Sequence, residues 1–566
     1  MTVADPGERA DAIVIGAGIA GLVAASELAA RGRRVLVLEH DHQAGGLMAG
    51  MRRHGFHFDV GCQSFEDMGI VFPLLEQYGL SDLATFRRAR YRLVLPGLDT
   101  VVESLPQVKA AFQAAYPDAA GPLGRVFDFH QRTSELVQRL FVPDRIPFVR
   151  DGAPSLPKWA LGALAPNGGS ALEVVGRLRD LRTLLLDDFG DWYRRELPPG
   201  AARELLSTCG YTRMNVFVAS AFWHLWAHDY WYPEGGLQAF FAGWVARLQA
   251  RGVRFLFKRT VTALAQRDRT VEAVITQHGE RFEADEVVYT GDPRQALRLV
   301  GRERYPAAKV ERLDRARHSD ALVSAYVGLD LPPEALRERL GTAHVFYFPD
   351  VGCRTELDPS DPDAHRKAFL EVTAHGMFDP ALAPPGRSSV VLQAFTRHDW
   401  QDGWGTGLTG DTAREERGLP RPPEYRRLKR RVAEDLLGTF ERLVPGAAAR
   451  VTYLDVGTPP STVRFTRNAF GASCGFELNW RNYPYALPLP NPGTPLANLH
   501  AAGHFTVWPG TVPTAALSGK IAARRADDRL RTRRRGHRAA PPPRAEAGAP
   551  RVPAGSPGDR GGQGAA

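Results

Sequence analysis

The chain has 566 residues, 44% of them hydrophobic and 24% charged, which is too long for one hydrophobic core and reads as a globular protein of two or more domains. The formal charge of +9 is uneven, because "RRADDRLRTRRRGHR" and the Pro/Gly/Ala-rich end after it, within Ile521 to Ala566, supply much of the excess; this reads as a solvated helix end, not a nucleic-acid surface. The four cysteines (Cys62, Cys209, Cys353 and Cys474) are far apart and form no CxxC pair, which argues against a zinc site or disulfide framework and fits a reducing cytoplasm. The N-terminus lacks the basic n-region of a signal peptide, and there is no run of about 18 apolar residues to span a membrane.

In chain order, Ala12 to Ile15 is a short apolar run, expected as a parallel strand buried on both faces. Gly16, Gly18 and Gly21 follow at GxGxxG spacing. Ala20 to Ala30 has helical periodicity ended by Gly32, and Arg34 to Leu38 is a second apolar strand with Glu39 at its end. A βαβ unit of this kind, with an acid about 20 residues after the glycines, binds a dinucleotide. The first glycine permits the tight turn, the second lets backbone approach a pyrophosphate, and the third lets helix and strand pack closely. The helix start, with Ala20, offers N–H groups and a positive dipole end to the phosphates. Glu39 can accept hydrogen bonds from the adenosine ribose. The unit alone fits either FAD or NAD.

Past Glu39 comes "HDHQAGGLMAGMRRHGFHFDVGCQSF", with Gly45 and Gly46 six and seven residues after the acid. This resembles the second glycine motif of flavoproteins with two dinucleotide-binding domains, the group containing amine oxidases and carotenoid desaturases. The resemblance implies that the glycine pair passes close to the flavin end of FAD. It also implies Arg after the pair, where this chain has Leu47. "GFHFDVG" resembles the strand leading toward the flavin, which would turn Cys62 and Gln63 to the ring.

Tyr91 to Asp229 is helix-rich by pattern, as in "FHQRTSELVQRLF" and "LEVVGRLRDLRTLLLDDFGDWYRREL". "RIPFVRDGAPSLPKWALGALAP", Arg145 to Pro166, either covers the core as a surface loop or touches a membrane, as such regions do in relatives that draw substrates from a bilayer. "FVASAFWHLWAHDYWYP", Phe217 to Pro233, either builds ordinary core or lines an apolar tunnel through Phe222 and Trp226. Within it His224 and His228 stand at i and i+4, but no third ligand accompanies them, so no metal is expected.

"YWYPEGGLQAFFAGWVARLQARGVRFLFKRTVTALAQRDRTVEAVITQHGERFEADEVVYTGDP", Tyr230 to Pro293, starts with a turn feeding an amphipathic helix. Strands are expected at Val253–Phe257, Val261–Ala265, Val271–Thr276 and Val287–Thr290. The stretch resembles phytoene-desaturase-like and carotenoid-isomerase-like flavoproteins, and that likeness places Val261 against the adenine. Arg294 to Tyr453 mixes strands such as "ALVSAYVGLDL" and "SSVVLQAFT" with the charged helix "EYRRLKRRVAEDLLGTFERLV". "NLHAAGHFTVWPGTVPTAALSGKIAARR", Asn498 to Arg525, resembles the group's last FAD segment. There Gly503 would approach the pyrophosphate, Val512 and Pro513 would sit at a helix start under the isoalloxazine, and Trp508 would lie beside the ring. His504 stands where the group has an acid.

The resemblance thus implies an α/β protein in which a Rossmann-like FAD-binding domain is assembled from the discontinuous segments 1–90, 230–293 and 454–528. An inserted α+β substrate-binding domain comprises 91–229 and 294–453, and 529–566 is a disordered basic, Pro/Gly-rich tail. The expected function is an FAD-dependent oxidoreductase acting on C–C bonds of an apolar isoprenoid or polyene, by desaturation, saturation or cis–trans isomerisation. A desaturase would pass electrons to a quinone or oxygen. An amine or alcohol oxidase and a non-catalytic flavin-bearing carrier stay open as alternatives. No catalytic base stands out; Arg213 and Asp229, flanking the aromatic stretch, are the first candidates. No nucleophile–His–acid set, Walker A loop or nucleic-acid fold is present.

Overall fold

The computed structural model of the protein describes residues 9–140, 149, 180–410, 418–479, 481, 494–507 and 510–539, and is organised by two seven-stranded sheets. In the first sheet, β1 (Ala10–Ile15) lies parallel between β2 (Val35–Leu38) and the strand Arg281–Tyr289. β2 pairs in parallel with Arg254–Leu256, and Arg281–Tyr289 pairs in parallel with Leu499–Ala501. Ile15, Leu38, Leu256, Tyr289 and Ala501 are linked in register, so these strands end at one level. Ligands of open parallel sheets bind beyond that carboxyl edge.

β1 and β2 are apolar at every position because both faces of the sheet are covered. Ala12, Val14, Val35 and Val37 share a core with α1 (Ile19–Ala30), while Ile13, Ile15, Leu36 and Leu38 pack on the other side against Val261, Leu297 and Leu313. The C-terminal helix Val512–Ala539 lies along α1. The approach is so close that a Cβ on Gly519 would stand 2.0 Å from the Ala20 carbonyl oxygen.

The second sheet runs in the order Val451–Gly457, Ala321–Leu329, Ser388–Thr396, Leu370–Thr373, His344–Tyr347, Tyr91–Leu95, Leu98–Val101. Its neighbours are antiparallel except for Tyr91–Leu95 beside His344–Tyr347. One face carries Val323, Val372 and Leu392 into a core with Trp400 and Phe440, roofed by the helix Pro423–Leu443. Across the other face lies a helical layer that includes Ala120–Leu140 and Val216–His228.

Four boundaries differ from the sequence reading. The last strand of the Tyr230–Pro293 stretch starts at Arg281, six residues before the expected Val287, because one strand serves two ladders: its first half is antiparallel to Thr270–Thr276 and its second half parallel to β1. The border at 454 cuts through Val451–Gly457, which belongs wholly to the second sheet, and helices Pro293–Val300 and Ala307–Arg315 bury Leu297 and Leu313 under the first. The helix begun at Val512 continues past Arg529 to Ala539 and does not give way to a disordered tail at 529. Arg529 pairs with the buried Glu286 at 3.2 Å and Arg533 with Asp285 at 3.6 Å, which ties this turn to the first sheet. Most of Arg145–Pro166, and the start of the second helical stretch before residue 180, lie outside the described residues.

Candidate active site

At the carboxyl edge of β1 the chain turns through Gly16, whose φ of 104° is a region that favours glycine and whose Cβ would fall 2.3 Å from Thr290 Oγ1. Gly18 caps α1 with extended backbone, and a Cβ there would meet nothing within 4 Å. Gly21 is the opposite case, its Cβ falling 2.0 Å from the Gly16 carbonyl oxygen. The three glycines therefore divide the work as their spacing implies: turn, open floor and tight packing.

Glu39 sits at the end of β2, where Oε2 accepts the Ala17 N–H at 2.6 Å and Oε1 the Asp41 N–H at 2.7 Å. Burial pushes its carboxyl up to about 7, against the pull of those backbone donors. Gly45 donates its N–H to the Ala17 carbonyl at 3.0 Å, and a Cβ on Gly46 would stand 3.4 Å from Gly18 Cα, so the second glycine motif lies directly beside the first. Gly503, with φ 101°, donates its N–H to Ser518 Oγ at 2.8 Å. His504 accepts from Asn468 Nδ2 at 3.4 Å; burial lowers its ring to about 4, so it brings no charge at neutral pH.

One cavity of about 660 Å³ joins these parts. Gly16, Gly18, Ala20, Glu39, Gly45 and Gly46 line it together with Val261, Gly503, His504 and Val512, and Gly16 and Gly503 both approach Thr290. Gly21 stands behind the wall, and Pro513 is buried in the first turn of the C-terminal helix without lining it. The arrangement fits an extended dinucleotide: a floor of glycine backbone with room where Gly18 lacks a side chain, and a carboxylate and a helix start in the same lining.

The same cavity continues past Cys62 and Gln63 into an aromatic compartment. Phe222 and Trp226 line it, stacked at 5.8 Å with an interplanar angle of 11°. Of the two readings of the aromatic helix, the geometry supports both: Trp223 and Leu225 are buried core while Phe222 and Trp226 face the cavity. His224 donates to or accepts from Ser134 Oγ at 2.7 Å, and no group of metal-binding side chains occurs among the described residues. Trp508 lies outside the described residues.

Arg213 and Asp229 do not line the cavity, and the structure gives both other work. Arg213 is partly exposed and faces Glu356 and Glu477 at 3.5 and 4.0 Å. Asp229 accepts the Met68 N–H at 2.7 Å, the Asp67 N–H at 3.3 Å and the Trp231 indole N–H at 2.7 Å. It braces a loop; proximity in sequence to the aromatic stretch is not proximity to its cavity face.

The polar groups that do face the compartment were not singled out from sequence. Glu66, 4% exposed, lines the cavity beside the C-terminal helix start, where the Thr511 hydroxyl and Val512 N–H support its carboxylate. Burial outweighs that support and the nearby Asp229 adds to it, raising Glu66 to about 7. On the second sheet, Phe346, Glu371, Gln393 and Ser324 stand directly opposite one another on four adjacent strands, and all four line the cavity. Glu66 follows the "GFHFDVG" strand closely enough for sequence to have flagged it. The Glu371 row exists only through strand register, which a single sequence does not display.

A family model described as flavin containing amine oxidoreductase matches residues 19–527. Among curated relatives, the phytoene dehydrogenase of Streptomyces griseus is 27% identical over 91% of this chain and 94% of its own. The all-trans-retinol 13,14-reductase of Danio rerio is 22% identical over 91% and 85%, and the chloroplastic prolycopene isomerase of Arabidopsis thaliana 25% over 93% and 84%. Among solved structures, putrescine oxidase bound to putrescine aligns with a TM-score of 0.57 at 15% identity over 93% of this chain and 99% of its own. An oxidoreductase from Methanosarcina mazei aligns with a TM-score of 0.52 at 16% identity over 90% and 99%. Both structural likenesses speak to the fold.

Proposed function

The chain belongs to the family of flavin containing amine oxidoreductases and is an FAD-dependent oxidoreductase of that superfamily; from this premise we propose that it acts on C–C bonds of an apolar isoprenoid or polyene. The observation that carries the reading is the continuity of one cavity from the glycine turn to the aromatic compartment. An apolar, conjugated body suits walls built by Phe222, Trp226, Phe346 and Phe395. The named activities of the three relatives, on a phytoene, a retinol and a prolycopene, support the same class of substrate.

In this reading Glu39 accepts from the ribose, the glycine backbones of Gly16, Gly18, Gly45 and Gly46 lie along the pyrophosphate, and Val261 packs on the adenine. Val512 places the helix start at the flavin ring. Bound FAD supplies the two-electron chemistry. The chain excludes water from the reacting bond through its aromatic walls and holds the substrate lengthwise.

Anaerobic mixing of the purified yellow protein with polyenes tests this. Bleaching of the flavin band by a polyene supports a desaturation, and conversion of a polyene by the photoreduced protein, with or without return of the band, supports saturation or isomerisation. Bleaching by primary amines with no response to any polyene overturns the proposal in favour of an amine oxidase.

A further inference from the structure

The aromatic compartment is not uniformly apolar, and one group of polar side chains in its wall lies on the second sheet. Glu371 is three-quarters buried at its side chain, and its Oε1 accepts from His344 Nδ1 at 3.2 Å. Oε2 has no donor among the described residues. His344 is 1% exposed, and with its Nδ1 proton on Glu371 its Nε2 is a buried lone pair with no hydrogen-bond partner among the described residues. Tyr91, its register partner on the neighbouring strand, stacks on the His344 ring at 4.5 Å and fixes its plane. His344, Tyr91 and Glu371 all line the cavity.

A carboxyl oxygen and an imidazole nitrogen set in an aromatic wall are costly while they face only hydrocarbon. Sealing an unpaired acceptor away from water is costly, so a ligand that brings no donor weakens its own binding. A site built with such acceptors rejects the analogue that lacks the donor. The neighbouring polar groups are already engaged. Gln393 Nε2 donates to the Gly61 carbonyl at 3.1 Å and to Ser324 Oγ at 2.9 Å, and Ser64 is bonded to the Tyr91 hydroxyl at 3.2 Å.

We infer that the compartment takes an apolar chain carrying one hydroxyl group, which donates its proton into a hydrogen bond with Glu371 while the chain lies against the aromatic walls. A hydroxyl brings one proton for Glu371 Oε2 and no charge. An ammonium brings three protons and a charge, and the aromatic walls around Glu371 replace little of the hydration it would give up. The inference rests on the reading of the compartment as the place of an apolar substrate and narrows that substrate to an alcohol. It concerns binding, so it is independent of which bond is oxidised or reduced.

The test measures equilibrium binding to the FAD-loaded protein by tryptophan fluorescence and calorimetry, in one detergent, for farnesol, farnesene and farnesylamine. The expected result is that farnesol binds roughly tenfold or more tighter than farnesene. Glu371→Leu should erase that preference, with the hydrocarbon binding tighter than to the wild type because no acceptor is left to seal, and Glu371→Gln, which keeps an acceptor oxygen, should retain part of it. FAD content and circular dichroism report whether each variant is folded. Equal binding of farnesol and farnesene to the wild type overturns the inference and leaves the apolar-substrate reading standing. Tighter binding of farnesylamine than farnesol overturns it in favour of an amine. Absence of binding by all three overturns both the inference and the reading beneath it.

Discussion

No side chain fits between Gly21 and Gly16: an added Cβ would stand 2.0 Å from the Gly16 carbonyl oxygen, with Val14 Cγ1 a further neighbour at 3.4 Å. Gly18, three residues earlier, has open space where its Cβ would stand. The pair separates packing from binding. Gly21→Ala is expected to destabilise the fold by more than about 3 kcal/mol, because backbone on both sides of the contact must move. Gly18→Ala is expected to leave the melting temperature of the flavin-free protein unchanged while raising the Kd for FAD, since its methyl enters the space a pyrophosphate needs. Thermal melts and flavin titration of both variants check this.

Arg213 and Asp229 are expected to separate in a similar way. Arg213→Ala removes a partly exposed cation from two carboxylates, a change of about 0–1 kcal/mol, with turnover per bound flavin kept. Asp229→Ala leaves the Met68 and Asp67 N–H groups and the Trp231 indole without their acceptor, at a cost of about 1–3 kcal/mol for a buried loop brace. Denaturant midpoints measured alongside turnover per flavin distinguish the two.

How much of this was legible in the chain follows from what each signal depends on. Gly16, Gly18, Gly21 and Glu39 are readable because turn, helix and acid are neighbours in sequence and their chemistry is local. The strands Ala321–Leu329 and Ser388–Thr396 are readable because their apolar runs are continuous. Glu371 is not, because its place is decided by register with Phe346 and Gln393 on separate strands. Arg213 and Asp229 misled for the converse reason: they flank the aromatic helix in sequence, whereas the cavity face of that helix is set by Phe222 and Trp226, one turn apart.

In the proposed binding mode Glu66 is a titrating neighbour of the flavin. Its carboxyl, raised to about 7 by burial, is half protonated near neutrality. With the flavin ring at the start of the Val512 helix, the visible flavin spectrum and the reduction potential are expected to change as pH passes through about 7. Glu66→Gln should flatten both curves across that window. A pH series of absorbance spectra and spectroelectrochemical titrations reads this without any substrate.

His130 makes a pH-dependent contribution to stability. Its Nδ1 meets Ser220 Oγ and its Nε2 the Tyr193 hydroxyl, both at 2.8 Å, and burial lowers its ring to about 3. The unfolded chain binds this proton near 6.5 and the folded one does not, so the stabilisation is full above 6.5 and is lost as pH falls toward 3. Glu39 and Glu66 act with the opposite sign: held near 7 when folded against the ordinary 4.5 of a solvated glutamate, they destabilise increasingly as pH rises from 4.5 to 7. The difference between wild-type and His130→Gln melting temperatures isolates the histidine, and it should shrink as the pH drops below about 6.5.

The double service of the strand Arg281–Tyr289 has a consequence for how the molecule is made. During synthesis β1 emerges well before its parallel neighbour on one side, which arrives only with residue 284 and beyond, and the outermost partner, Leu499–Ala501, follows later still. A greasy central ribbon therefore waits at the ribosome with one edge bare while the long stretch between the partners is made. Nascent chains stalled before residue 281 should be captured by holdase chaperones, and those stalled after residue 501 released from them.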